Sequence, residues 1–144
     1  MKDQGNRPIG TAGFSLSPQN VLTIAFKAAS GTPGWLSFGV NSGGGMIGTS
    51  AVFAQSCGGT SCAQGYSKQL NGYVYQSFGP SQVEYSDILA GKDGGVLIGS
   101  AKMTWPTGKE SLSVMLASGP VGGGNPQIHF GVPQIVSLKK SDLV

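Results

Sequence analysis

No stretch of this chain repeats apolar residues at the 3.6-residue period of a helix. Short runs of alternating character recur instead, cut by Gly, Pro, Asn and Ser, and such runs are the mark of half-buried strands joined by turns. Of the 144 residues, 25 are Gly, well above the roughly 7% of an average protein. They follow no fixed period, which excludes collagen, and they lie between strand-like runs, which argues against disorder. An all-β sandwich or barrel follows. The length suits one domain with a real core. Residues 1–10 read as a flexible lead-in and residues 11–144 as the domain.

The central stretch is Gly34 to Ala54, a strand, a glycine hinge and a second strand. Trp35 to Val40 alternates large apolar with small residues, Asn41 and Ser42 end the run, and Gly43, Gly44 and Gly45 turn the chain. Met46 to Ala54 then reads as the second strand. Further strands are expected over 11–16, 21–29, 64–70, 71–78, 96–105, 112–117, 127–130 and 135–138, with 82–90 ambiguous. Lys92-Asp93-Gly94-Gly95 is a hairpin signal. Residues 119–126 read as a loop. About ten strands in two sheets fit this length.

Charged residues make up 10% of the chain, against about 25% in an ordinary domain. A surface carried by Ser, Thr, Gln and Asn suits a secreted or periplasmic protein. The net charge is +3 and Lys139-Lys140 is the only adjacent basic pair. Nucleic-acid binding therefore lacks its electrostatic footprint. No run of 18 apolar residues is present to span a membrane as a helix. Met1 to Asn6 is not a secretory signal, because no apolar stretch follows it. The expectation is a mature extracytoplasmic domain carrying an added initiator Met, with the charged end at Lys139 to Val144 a junction to a further segment.

Cys57 and Cys62 are separated by four residues, a spacing that suits a staple across a hairpin tip. A disulfide there would contribute about 2 kcal/mol in the chain-entropy model and would imply an oxidising compartment. The alternatives are two free thiols or half a metal site. Zinc is disfavoured, since one histidine is the only other strong soft-metal ligand.

Catalytic constellations are thin. No Gly-x-Ser-x-Gly elbow occurs, and Asp87, Asp93 and Glu110 offer no facing carboxylate pair. No residue is assigned a catalytic role, and the chain does not read as a hydrolase. Two other side chains share a context. Met46 follows the glycines 43–45, and His129, the only histidine, follows the glycines 122–124. Met46 can be core filler or a thioether offered to a ligand, and His129 alone reads as an edge histidine. Glycine lets backbone approach a bulky flat ligand, and a thioether with an imidazole is the pair that holds haem iron in electron-transfer cytochromes. Met103 and Met115, mid-strand in apolar runs, read as core.

The order Gly34-Trp35, Phe38-Gly39, Asn41, then Gly44-Gly45-Met46-Ile47-Gly48-Thr49-Ser50-Ala51-Val52 resembles the signature of DOMON domains. It is most similar to their cytochrome branch, which includes domains linked to transmembrane b-type cytochromes and the haem domain of cellobiose dehydrogenase. His129, just before a closing strand, also matches. The likeness spans about Thr11 to Leu138. It implies an immunoglobulin-like β-sandwich of about ten or eleven strands. It implies Met46 and His129 as axial ligands of a non-covalent haem b, with Gly44, Gly45 and Gly48 leaving space on the methionine side. The absence of Cys-x-x-Cys-His agrees with b-type haem.

The expected function is single-electron transfer through a six-coordinate haem in an extracytoplasmic domain. The redox partner would be ascorbate, a transmembrane b-type cytochrome or a flavin domain. The rival is a haem-free DOMON module binding a carbohydrate or other ligand, with Trp35, Tyr66, Tyr73 and Tyr75 as the stacking aromatics.

Overall fold

The computed structural model describes residues 9–29, 34–41, 47–57, 62–72, 75–119, 121–122, 125–126 and 134–143. They form a β-sandwich of two antiparallel sheets. The strands are β1 (Gly10–Leu16), β2 (Val21–Ala28), β3 (Trp35–Asn41), β4 (Ser50–Ser56), β5 (Ala63–Gln69), β6 (Ser86–Asp93), β7 (Val96–Thr104), β8 (Ser111–Gly119), β9 (Val121–Gly122), β10 (Asn125–Pro126) and β11 (Gln134–Lys139). One sheet has the order β1-β2-β7-β6 and the other β11-β8-β3-β4-β5. β9 and β10 pair with each other in a short separate ladder.

Local chemistry explains the turns. Gly94 and Gly95 have φ of +59° and +83°, so both central positions of the β6–β7 hairpin take the left-handed backbone that a type I′ turn needs. Between β1 and β2, the Ser17 hydroxyl accepts the Val21 amide at 3.1 Å, and Asn20 takes a positive φ of 63°. After β7, the Trp105 indole donates to the Lys109 carbonyl at 2.8 Å and closes the turn around Pro106.

Strand alternation builds the core between the sheets. Leu22, Ile24 and Phe26 of β2 and Leu97, Ala101 and Met103 of β7 point inward. They meet Leu36 and Phe38 of β3, Val52 of β4 and Val114 and Leu116 of β8. Phe38, 1% exposed, is the hub, with Phe14 and Phe26 at ring distances of 5.6 and 6.3 Å. Burying one such side chain stabilises the fold by about 1.5–3 kcal/mol.

Several expected boundaries move. The fold already includes Ile9, which is buried, and Gly10, which opens β1. β4 begins at Ser50 and not at Met46, because Ile47 and Gly48 form a turn with Gly48 at φ +93°. The strand expected over 71–78 is absent from the described part of that stretch. Gly72 lies close against Ser77, residues Tyr75–Ser77 form a 3-10 turn, and only Gly79 bridges back to Gln69. The ambiguous stretch 82–90 divides: Val83 and Tyr85 pack on the core, and β6 starts at Ser86 with a bulge before Leu89. The strand expected over 127–130 lies outside the described residues.

Candidate functional site

A two-layer sandwich normally leaves the outer face of each sheet to water. The five-stranded sheet does not follow that rule. β3 and β4 are buried on both faces, as is the second half of β8. Their outward residues Trp35, Ala51, Phe53, Met115 and Ala117 form a second apolar cluster with Leu70, which follows β5. Tyr66, Phe78 and Val121 pack against it.

The register orders this face. Gly39 of β3 stands between Ala51 of β4 and Met115 of β8. Ala51 is opposite Lys68 of β5, and Met115 is opposite Ile135 of β11. In the next row, Ser37 lies between Phe53 and Ala117, and Phe53 is opposite Tyr66. Gly39, Ser37, Ala51 and Ala117 thus bring small side chains together on this face, and Thr49 fills the space beside Gly39. Aromatic rings stand beside these small residues: Phe53 is 5.2 Å from Tyr66 in a near-parallel stack, 5.6 Å from Trp35 and 6.1 Å from Phe78. The Tyr66 hydroxyl donates to Gln55. Gly119 leaves the space filled by the Trp35 indole, 2.7 Å from where a Cβ would sit.

Polar groups at the upper end of this sheet are paired internally. Asn41 donates its amide to the Thr49 hydroxyl at 2.7 Å, both buried. On the inner side, the Ser50 hydroxyl donates to Gln69 at 2.5 Å, and Gln69 also accepts the Gln82 amide at 3.0 Å. The Tyr85 hydroxyl donates to the Ser50 carbonyl at 2.7 Å. Burial pushes the Tyr85 phenol well above its ordinary range, and the Val40 backbone hydrogen bond pulls it partly back. Among the described residues no buried side-chain nitrogen or oxygen lacks a partner. The described outer layer is therefore apolar and buried, with its side-chain polar groups satisfied internally.

Of the residues singled out in the sequence, Met46, His129, Gly44 and Gly45 lie outside the described residues. Gly48 is described, and its amide donates to the Leu70 carbonyl at 2.9 Å, which ties the end of the Met46 segment to the outer layer. The His129 segment is bounded by Pro126, paired with Val121, and by Gln134, opposite Leu116. Cys57 and Cys62 form the expected disulfide, with Cα atoms 5.3 Å apart at the exposed β4–β5 tip.

Met115 is in the outer layer, whereas Met103 is in the core between the sheets. The alternation of β8 against β3 carried that signal. Trp35 is buried and Tyr66 half-buried against Phe53, so neither is a solvent-facing platform for a sugar. The Tyr73 and Tyr75 side chains lie outside the described residues.

The outer face of the other sheet carries an open groove of about 540 Å³ bordered by Ala25, Lys27, Leu89, Gly91, Ile98 and Ser100. Lys27–Asp93 and Lys102–Asp87 ion pairs flank that face at 3.5 and 3.4 Å. Phe26 is the aromatic among its lining residues and is packed inward against Phe38, and neither sulfur nor imidazole is among them.

No protein-family model matches the sequence, and no curated protein matches it. Among solved structures, the fold is similar to the cytochrome domain of Myriococcum thermophilum cellobiose dehydrogenase. The TM-score is 0.62 at 14% identity, over 94% of this chain and 77% of that one. At that identity the likeness is one of fold: the chain shares the β-sandwich architecture of a cytochrome domain.

Proposed function

We propose that the chain is a b-type cytochrome domain of the DOMON family that transfers single electrons. Met46 and His129 would hold the haem from opposite sides, and Gly44, Gly45 and Gly48 would leave room on the Met46 side. One observation carries this reading: the described neighbours of both segments belong to the same outer layer of the five-stranded sheet. Gly48, two residues after Met46, is bonded to Leu70. Pro126, three residues before His129, pairs with Val121. At about 3.5 Å per residue, both side chains are within reach of one site on this face.

The described outer layer has the apolar and aromatic character that a flat apolar ring would need, and among the described residues no buried side-chain nitrogen or oxygen lacks a partner. Bound there, haem would supply one-electron redox chemistry at iron. Met46 and His129 together would leave no coordination position for oxygen or substrate, and a thioether opposite an imidazole favours the reduced state. The protein's part is to position and dehydrate the ring. The fold shared with a cytochrome domain and the disulfide, which persists in oxidising compartments, support an extracytoplasmic place. No helix among the described residues is long and apolar enough to cross a membrane. The donor or acceptor would be ascorbate, a transmembrane b-type cytochrome or a flavin domain.

Hemin titration followed by visible spectra tests the reading. The wild type should give a Soret band and, once reduced, sharp low-spin α and β bands. Met46→Ala should yield a five-coordinate or water-ligated haem of lower potential, and His129→Ala should retain haem poorly. A wild type that stays colourless with hemin, or variants with wild-type spectra, would end the assignment.

A further inference from the structure

We infer that Asn71-Gly72 is a self-modifying site, at which the chain converts its own asparagine to aspartate and isoaspartate without an enzyme. Asparagine is among the labile side chains, and the reaction needs a following residue that does not crowd the attack of its backbone nitrogen. The Gly72 nitrogen attacks Asn71 Cγ and gives up its proton to water, and ammonia leaves. The cyclic imide so formed takes up water at either of its two carbonyls. Opening at one carbonyl restores the main chain as aspartate. Opening at the other leaves the main chain routed through the side chain as isoaspartate. One amide becomes one carboxylate, one water is consumed and one ammonia is released, with no oxidant and no metal.

The other asparagines each lack a requirement. Asn6 precedes Arg7 and Asn20 precedes the β-branched Val21, and the Val21 amide is already donated to the Ser17 hydroxyl at 3.1 Å. Asn41 is buried and gives its amide to the Thr49 hydroxyl. Asn125 precedes Pro126, which has no N–H. Asn71 is exposed, and it begins the one Asn-Gly pair of the sequence. The fold supplies both the position and the glycine. The Leu70 amide donates to the Thr49 carbonyl at 2.8 Å, and β5 has ended at Gln69, so Asn71 is the first residue past the ladder. Gly72 does not have a positive φ, so its backbone does not demand glycine. Packing does: a Cβ there would be 2.5 Å from Ser77 Oγ and 2.9 Å from Ser77 Cβ. The side chain left out to admit Ser77 is the one that would hinder the attack. Asn71 Nδ2 lies over Gly79, which bridges to Gln69, so the new carboxylate arises beside that bridge. Isoaspartate also lengthens the main chain by one carbon between Leu70 and Phe78, and both of these serve the outer layer.

The test holds the whole folded chain at neutral and at mildly acid pH and follows the tryptic peptide from Gln69 to Lys92 by mass spectrometry and chromatography. The peptide should gain the mass of an amide-to-acid exchange at Asn71 and separate into aspartate and isoaspartate forms. Conversion should be faster at neutral pH, because the attacking nitrogen must lose its proton. Asn20 and Asn41 should stay intact over the same period. Gly72→Ala should slow the conversion about ten-fold. Gly72→Ala/Ser77→Gly, which relieves the crowding that could unfold the single variant, should be equally slow. Asn71→Gln should leave the peptide unchanged. An Asn71 that survives in the folded chain and converts only in urea would show that the turn shields the pair, and would overturn the proposal. So would conversion of Asn20 at the same rate, or a Gly72→Ala/Ser77→Gly variant that converts as fast as the wild type.

Discussion

Gly39 should be among the least replaceable residues of the chain. It is mid-strand in β3, and a Cβ built on it would be 2.3 Å from Thr49 Cγ2, 3.3 Å from the Ser50 carbonyl and 3.5 Å from Ala51 Cβ. The last two contacts are tolerable and the first is not. Thr49 cannot simply rotate away. It is fully buried, its β-branched side chain is stiff at χ1, and its hydroxyl accepts the Asn41 amide at 2.7 Å. Gly39→Ala therefore forces either a backbone shift or the loss of that hydrogen bond. Overpacking of this kind costs about 1–3 kcal/mol, and a buried amide left without its partner costs about 1–3 kcal/mol. Alanine lowers the entropy of the unfolded chain and returns about 0.4–1 kcal/mol. The net expectation is a loss of about 1–2 kcal/mol.

Urea unfolding reads this directly. With a slope of about 1–3 kcal/mol per molar, the midpoint should fall by roughly 0.5–1 M with the slope unchanged. The decisive comparison is the double variant. Thr49→Ser removes the offending carbon and keeps the hydroxyl, at a cost of about 1 kcal/mol on its own. Gly39→Ala/Thr49→Ser should be more stable than Gly39→Ala alone, a coupling of about 1–2 kcal/mol. If the two substitutions simply add, the clash with Thr49 is not what keeps Gly39 a glycine.

Three further outcomes follow from the same geometry. The raised phenol of Tyr85 leaves stability intact below about pH 10, where the unfolded tyrosine begins to ionise. Stability should then fall with rising pH by up to about 1.4 kcal/mol per unit until the buried phenol ionises. Absorbance at 295 nm should show the Tyr85 phenol, isolated by comparison with Tyr85→Phe, titrating only as the protein unfolds, and its ionisation near pH 10 in the folded protein would contradict this. Replacing Cys57 and Cys62 by Ser should cost about 2 kcal/mol in urea unfolding and leave hemin spectra unchanged, because the pair closes an exposed hairpin tip. Met115→Leu keeps volume in the outer layer, so it should cost less than about 1.5 kcal/mol. It should also leave the low-spin spectrum intact; loss of that spectrum in Met115→Leu, and not in Met46→Ala, would make Met115 the sulfur ligand.

The four-stranded sheet was legible because its strands have one wet face. Leu22, Ile24 and Phe26 alternate with Thr23, Ala25 and Lys27, and the Gly94-Gly95 turn announces its hairpin. The five-stranded sheet was legible only by half. In β3 the inward Leu36, Phe38 and Val40 stand out, whereas Ser37 and Gly39 have the composition of a solvent face and yet are buried. Met103 and Met115 look alike in sequence, and only strand pairing separates core from outer layer. Residues 71–78 failed for a related reason. Their aromatics suggest a strand, but Phe78 serves the outer layer from a turn. Met46 and His129 were singled out by ligand chemistry and the DOMON resemblance, and both lie outside the described residues.

Connection lengths favour this side of the sandwich for the proposed ligand. The four-stranded sheet is closed by economical turns: residues 17–20 join β1 to β2, and 94–95 join β6 to β7. The five-stranded sheet is joined by long connections: 42–49 from β3 to β4, and 120–133 from β8 to β11, the latter containing the β9–β10 ladder. Residues 70–85, leaving β5, contribute Leu70 and Phe78 to the outer layer. Hairpin links normally take 2–5 residues, and longer ones are retained where they bind or cover something. A sheet hydrophobic on both faces must be covered on both, and the other sheet covers only one. The long connections leave from the strands that need a second cover, and the two proposed iron ligands lie within them. A bound ring would complete that third layer. The sandwich should therefore gain stability on binding hemin in proportion to ligand excess, with the protection of amide hydrogens rising first in β3, β4 and β8. Protection gained instead in β1, β2 and β7 would place the ligand on the wrong sheet for this account.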